Sequence, residues 1–139
     1  MAEALPLTAT ECEELLRQSQ VGRVAVCSPD GPHVVPVNYV LLDQALVFRT
    51  SPYSVVGTHG RDAVVALEID QVDEAHEAGW SVLARGRAVA VTDPDDVAAI
   101  RQAWSAPPWA AGMRTLYLRM ARPELTGRRL APTDLATRP

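Results

Sequence analysis

The residues able to do chemistry gather in a few short stretches. "FRTSPYSVVG", Phe48 to Gly57, ends an apolar run on Arg49 and continues with the hydroxyls of Thr50, Ser51 and Ser54. A guanidinium beside hydroxyls is a good shell for an oxyanion such as phosphate. The same residues also make an ordinary surface arginine and a polar turn. "PVNY" sets Asn38 inside an apolar run, where asparagine is disfavoured in a strand. Its amide donates and accepts, so it can read an imide-like N–C=O edge or satisfy a backbone bent beside Pro36. "GWSV" opens a strand with Trp80, either a ligand wall or a core ring. Arg128 and Arg129 in "TGRRL" can reach an anion or stay in water.

Other chemistries find little support. No GxSxG, HExxH, Walker or GxGxxG pattern is present. Glu68 and Asp70 stand two apart on one strand face, which reads as a solvated face. General acid–base work needs a placed partner and a perturbed pKa as well. His33, His59 and His76 are scattered, so no metal site is expected. Cys12 and Cys27 form no CxxC, which argues against a zinc ribbon or a disulfide scaffold.

The bulk numbers bound the class. A chain of 139 residues fits one domain, with residues 1–7 and 131–139 expected as loose tails. Net charge is −4 and all 13 cations are arginine, so no basic face for nucleic acid is implied. No signal peptide and no run of about 20 apolar residues is visible, so neither secretion nor a membrane span is expected. A cytoplasmic protein is the default.

The elements that must hold these stretches are mostly strands. "TATECEELLRQSQ" predicts a helix with a Thr8–Glu11 capping box. "VGRVAVCS", "PDG" and "HVVPVNYVLL" predict a β-hairpin, and Pro36 inside its second strand predicts an edge or a break. "ALVFRT" and "DAVVALEID" follow as strands, and "QVDEAHEAG" as a solvated loop. "WSVLARGRAVAVTD" is a long strand with a bulge or bend at Gly86. Asp93 and Pro94 open a second helix. "RTLYLRMAR" alternates as a last strand, and "PELTGRRLAP" ends the ordered part. About six strands with short turns and no βαβ rhythm point to a small closed antiparallel barrel.

Taken in order, "PVNY", "FRT", "GWSVLARGRA" and "TGRRL" resemble the pyridoxamine 5′-phosphate oxidase-like family, and within it the short flavin/deazaflavin oxidoreductase branch seen in actinobacteria. The similarity covers about residues 8 to 130. It implies a mainly β fold, a six-stranded antiparallel split β-barrel with two or three short flanking helices. It implies a homodimer with FMN at the interface, acting as an oxidoreductase on an unknown small molecule. By that resemblance Pro36, Val37, Asn38 and Tyr39 lie along the flavin ring. Phe48, Arg49 and Thr50 run toward the phosphate, with Ser51 and Ser54 in the phosphate turn. Trp80, Ser81 and Val82 come from the partner or a neighbouring strand, and Trp109 and Arg128 close the rim.

One departure bears on the cofactor. The family pattern carries a glycine and a lysine where this chain has Tyr53 and Val55. Losing a charge-assisted contact of about 1.5–3 kcal/mol weakens anion binding by roughly 10- to 150-fold. Arg49, Arg61 or a terminal arginine could compensate. The alternative is a non-catalytic protein that holds flavin, the deazaflavin F420 or another anionic ligand, or that has weakened or lost FMN.

Overall fold

A computed structural model describes residues 2–104 and 115–132. In chain order the elements are β1 (Ala2–Pro6), α1 (Ala9–Gln18), β2 (Val21–Ser28), β3 (Gly31–Leu42), β4 (Ala45–Thr50) and α2 (Val55–His59). There follow β5 (Ala63–Asp73), β6 (Ala78–Ala90), α3 (Pro94–Ala103), β7 (Leu116–Ala121) and β8 (Glu124–Pro132). Among these residues no helix is long and apolar enough to cross a membrane.

Local chemistry starts and stops the elements. Thr8 caps α1: its Oγ1 accepts from Glu11 N–H at 3.2 Å, and Glu11 Oε1 accepts from Thr8 N–H at 3.0 Å. The two bonds satisfy donors the first helical turn leaves open. Asp93 caps α3 by accepting from Asp95 N–H at 2.8 Å, with Pro94 next in line. The β2–β3 turn closes on Gly31, whose φ of 119° suits a residue without a Cβ.

Every strand pairing is antiparallel. β6, β5, β2, β3, β4 and β7 pair in succession, and β7 returns to β6, closing a six-stranded barrel. β6 makes the closure by changing partners. Residues 79–85 pair with β8, whereas residues 88–90 pair with β7. Gly86 lies at the change, where the sequence predicted a bend.

The six-stranded barrel is as expected, and two further strands among the described residues, β1 and β8, flank β6. Two expectations are corrected. Residues 2–6, 131 and 132, expected in loose tails, are paired: Ala2 opposes Pro132 and Pro6 opposes Arg128; residues 133–139 lie outside the described residues. The backbone of β1 finds its strand partner only on β8, which pairs with β6 on its other side, and the sequence shows no local sign of it. "QVDEAHEAG" is likewise the tip of a hairpin rather than a loop. β5 runs on to Asp73, and Asp73 Oδ1 accepts from His76 N–H at 3.2 Å in the turn. Strand pairing carries these polar residues because the ribbon needs no buried face. Pro36 behaves as predicted. β4 pairs with β3 only from Asn38 onward, so at Pro36 the strand has β2 on one side alone.

Alternation fills the barrel with Val24, Val26, Val37, Tyr39, Leu46, Phe48, Val65, Leu67, Ile69, Val82, Ala84 and Met120. α1 plugs one end with Cys12 and Leu16, both fully buried. The Tyr39 hydroxyl donates to the Leu16 carbonyl oxygen at 2.7 Å and ties β3 to the plug. Burial pushes the Tyr39 phenol up to about 12. A second cluster lies outside the barrel, where Ile100, Val97 and Trp104 of the α3 region cover Val47, Val91 and Tyr117.

Candidate functional site

Residues directly opposite in antiparallel strands share a face. On the outer face Asn38 opposes Val21 on one side and Arg49 on the other, and Arg49 opposes Tyr117. Further round the barrel Arg23 opposes Pro36 and Glu68, and Glu68 opposes Leu83, which opposes Thr126. Asp70 opposes Ser81, which opposes Arg128. Pro36, Asn38, Arg49, Ser81 and Arg128, distant in sequence, thus share one surface.

α3 divides that surface. Arg49 is only 9% exposed, and its guanidinium carbon lies 4.4 Å from the centroid of the Trp104 ring. Trp104 also tilts against Tyr117, with centroids 5.9 Å apart. From Asn38 toward β8 the surface is open, and Arg23 organises it. Arg23 Nη2 donates to Glu68 Oε1 at 2.7 Å and to Asp70 Oδ2 at 2.5 Å. Burial, then the hydrogen bond with Asp70, raises the Glu68 carboxyl above its ordinary range. The hydrogen bond from Glu68, with Arg23 helping, lowers Asp70.

The loop after β4 is self-contained. Ser54 caps α2, accepting from Gly57 N–H at 3.0 Å and donating to the Ser51 carbonyl oxygen at 2.8 Å. Thr50 Oγ1 and Ser54 Oγ are 2.7 Å apart. Ser51 Oγ accepts from Tyr53 N–H at 3.3 Å. With Ser54's proton directed at a carbonyl and Thr50 bonded to Ser54, the Ser51 hydroxyl is the donor this loop offers a ligand. The turn is tight around Gly57: a Cβ there would meet the Ser51 carbonyl oxygen at 2.2 Å. Tyr53, 81% exposed, projects from the loop. Val55 packs against the core where the family pattern has lysine.

The expected site residues therefore divide. Val37, Tyr39, Phe48 and Val82 are buried inside the barrel, so they can meet a ligand only through backbone. Trp80 packs against the main core cluster, on the face opposite Ser81. Arg49 is covered by Trp104. Pro36, Asn38, Thr50, Ser51, Ser54, Ser81 and Arg128 have side chains at least partly open to solvent. Trp109 lies outside the described residues.

Sequence reasoning missed three features. Arg23 gave no signal, because its partners lie 45 and 47 residues away. Trp104 was legible only as the end of a helix. A concavity of about 810 Å³ lies between α1, α3 and the β3–β4 turn. Arg17, Arg119 and Arg122 face Glu13, Asp43 and Asp96 there, so its charges balance. Among the described residues, no three His, Cys, Asp or Glu side chains gather as metal ligands.

Comparison with known proteins agrees with this architecture. A family model described as pyridoxamine 5′-phosphate oxidase matches residues 8–129. The uncharacterised protein Rv0080 of Mycobacterium tuberculosis is 36% identical over 101 residues, which is 69% of this chain and 66% of that protein. The chain thus spans about two thirds of the length of that relative. The FAD binding protein of Mycobacterium smegmatis superposes with a TM-score of 0.81 at 33% identity, covering 92% of this chain and 99% of that one. A FAD-binding protein of Mesorhizobium loti, at 22% identity, has a TM-score of 0.72 over 91% of this chain and 97% of its own, a likeness of fold alone.

Proposed function

The chain belongs to the pyridoxamine 5′-phosphate oxidase family, and from that premise we propose that it is a flavin-binding oxidoreductase acting on a small molecule. The observation that carries this is the likeness, at 33% identity over nearly the whole chain, to a protein described as FAD binding. A bound flavin supplies the electron transfer; the chain supplies orientation, dielectric and a substrate wall. Few catalytic side chains are then needed, which suits a sequence without catalytic motifs.

The residues fit the two ends of the cofactor unequally. The open surface suits a flat ring. Pro36 offers it an exposed edge, Asn38 an amide for its imide-like side, and Ser81 and Arg128 a polar far wall. The phosphate end is poorly provided for. Ser51 has a hydroxyl to give, Thr50 and Ser54 bond to each other, and Arg49 lies beneath Trp104. FMN is the proposed cofactor, held more weakly than where a lysine stands at position 55. Arg61, exposed just beyond α2, is a cation that could take its place.

The partner we propose is a second copy of the chain. Val21, opposite Asn38, is 46% exposed and Leu83, opposite Glu68, is 38% exposed on the open surface. A copy laid there would cover them and exclude water from the ring. Sedimentation of the purified protein over a range of concentrations tests this, and a monomer at every concentration would refute it.

Flavin is tested by the visible spectrum of freshly purified protein, followed by titration with FMN and with FAD. No flavin band and no binding in the micromolar range would sink the proposal. The poor phosphate end favours one second reading, a non-catalytic binder of flavin, F420 or another anionic ligand. Bound flavin that NAD(P)H reduces and an acceptor reoxidises, at enzyme-like rates, excludes it.

A further inference from the structure

Arg23 is the cross-strand neighbour of Pro36 on β3 and of Glu68 on β5. Asn38, two residues along β3, is its diagonal neighbour, about 7–8 Å away and within reach of a long side chain. The guanidinium is fixed from one side. Nη2 donates to Glu68 Oε1 at 2.7 Å and to Asp70 Oδ2 at 2.5 Å. Nε and Nη1 make no hydrogen bond or ion pair among the described residues. A guanidinium holds its N–H donors in one rigid plane, so two carboxylates that fix Nη2 also aim the others. The side chain is 46% exposed, so the donors left over are spent on water or on a ligand. An arginine held this way has given up rotamer freedom before anything binds, which lowers the cost of binding.

We propose that Arg23 is a contact of the flavin ring, donating from Nε and Nη1 to the ring's carbonyl edge, and that its charge favours the reduced cofactor. This rests on the flavin reading, in which the imide-like side of the ring lies at Asn38 and its edge on Pro36. That side carries the negative charge that reduction adds to a flavin. A cation there attracts the charge, and a carboxylate opposes it. Glu68 and Asp70 thus hold the guanidinium plane and keep its pull on the electrons moderate. Lysine cannot replace Arg23 in full, because an ammonium on a flexible stem keeps the charge and loses the plane.

The test compares Arg23→Gln, Arg23→Lys and Glu68→Gln with the unaltered full chain. Each is titrated with oxidised FMN, followed by flavin fluorescence, and the reduction potential of bound FMN is measured against a reference dye. Arg23→Gln weakens oxidised FMN roughly tenfold and reduced FMN roughly tenfold further. The second factor appears as a fall of about 30 mV for the two-electron couple. Arg23→Lys weakens oxidised FMN but keeps most of the potential. Glu68→Gln still accepts from Nη2 and removes a negative charge, so its potential rises. A merely structural clamp would lower the urea midpoint of Arg23→Gln and leave the potential of bound FMN where it was. An unchanged potential in Arg23→Gln, or one in Glu68→Gln that does not rise, would overturn the proposal. A wild-type chain that binds neither FMN nor FAD refutes the flavin reading and the ring contact with it. FMN bound at a potential that Arg23→Gln does not move refutes the ring contact alone.

Discussion

Arg49 lies beneath Trp104, guanidinium carbon to ring centroid 4.4 Å, and joins β4 to the end of α3. An arginine that sequence reasoning offered to a phosphate is thereby committed to packing. The contact matters because α3 is otherwise held by a small cluster, with Ile100 its one buried helical residue.

Arg49→Met separates the two roles. It keeps the apolar stem and removes the cation–π contact, which contributes about 1–2 kcal/mol when desolvated. Urea denaturation should show a loss of that size. Flavin affinity should stay within about threefold, less than the roughly tenfold of a lost charged ligand. A larger loss of affinity returns Arg49 to the phosphate.

Val55→Lys restores the family's charge beside the expected phosphate. FMN affinity, followed by quenching of flavin fluorescence, should rise by roughly 10- to 150-fold. Val55 is half-buried at the start of α2, so stability should fall by about 1 kcal/mol as the lysine stem replaces it and the ammonium reaches water. Unchanged affinity would place the phosphate elsewhere.

Tyr39→Phe removes the hydroxyl that bonds the Leu16 carbonyl oxygen. The cost is about 1–2 kcal/mol, since the buried acceptor loses its partner. The pH signature is more specific. The folded phenol titrates at about 12, above its unfolded value near 10. Its stabilisation is complete below the unfolded pKa and is lost as pH rises through the folded one. Alkaline unfolding between about pH 10 and 12 should therefore be blunted in the variant.

Gly57→Ala puts a methyl group against backbone atoms, with the Ser51 carbonyl oxygen at 2.2 Å and the Pro52 carbonyl carbon at 3.0 Å. Neither can swing aside as a side chain would. Thermal melts should show a loss of about 1–3 kcal/mol. Amide exchange should rise first at Ser54 and Gly57, where the cap opens.

The sequence by itself determined what depends on neighbours along the chain. The Thr8–Glu11 box, the Asp93–Pro94 start, the Gly31 turn and the edge position of Pro36 follow from local backbone geometry and hydrogen-bonding groups. Alternation in β2 to β7 likewise separates the barrel's inner face from its outer one. The ordered stretches from "PVNY" to "TGRRL" carried the family. Only the tertiary structure decided which candidates share a surface. Cross-strand register brought Asn38 beside Arg49 and Ser81 beside Arg128. It also set Arg23, 45 and 47 residues away, against Glu68 and Asp70 on their solvated face. α3 then covered Arg49 and left Arg128 open. Chain connectivity sets spacing along one strand; which side chain lies opposite, and what covers it, is set by pairing across strands.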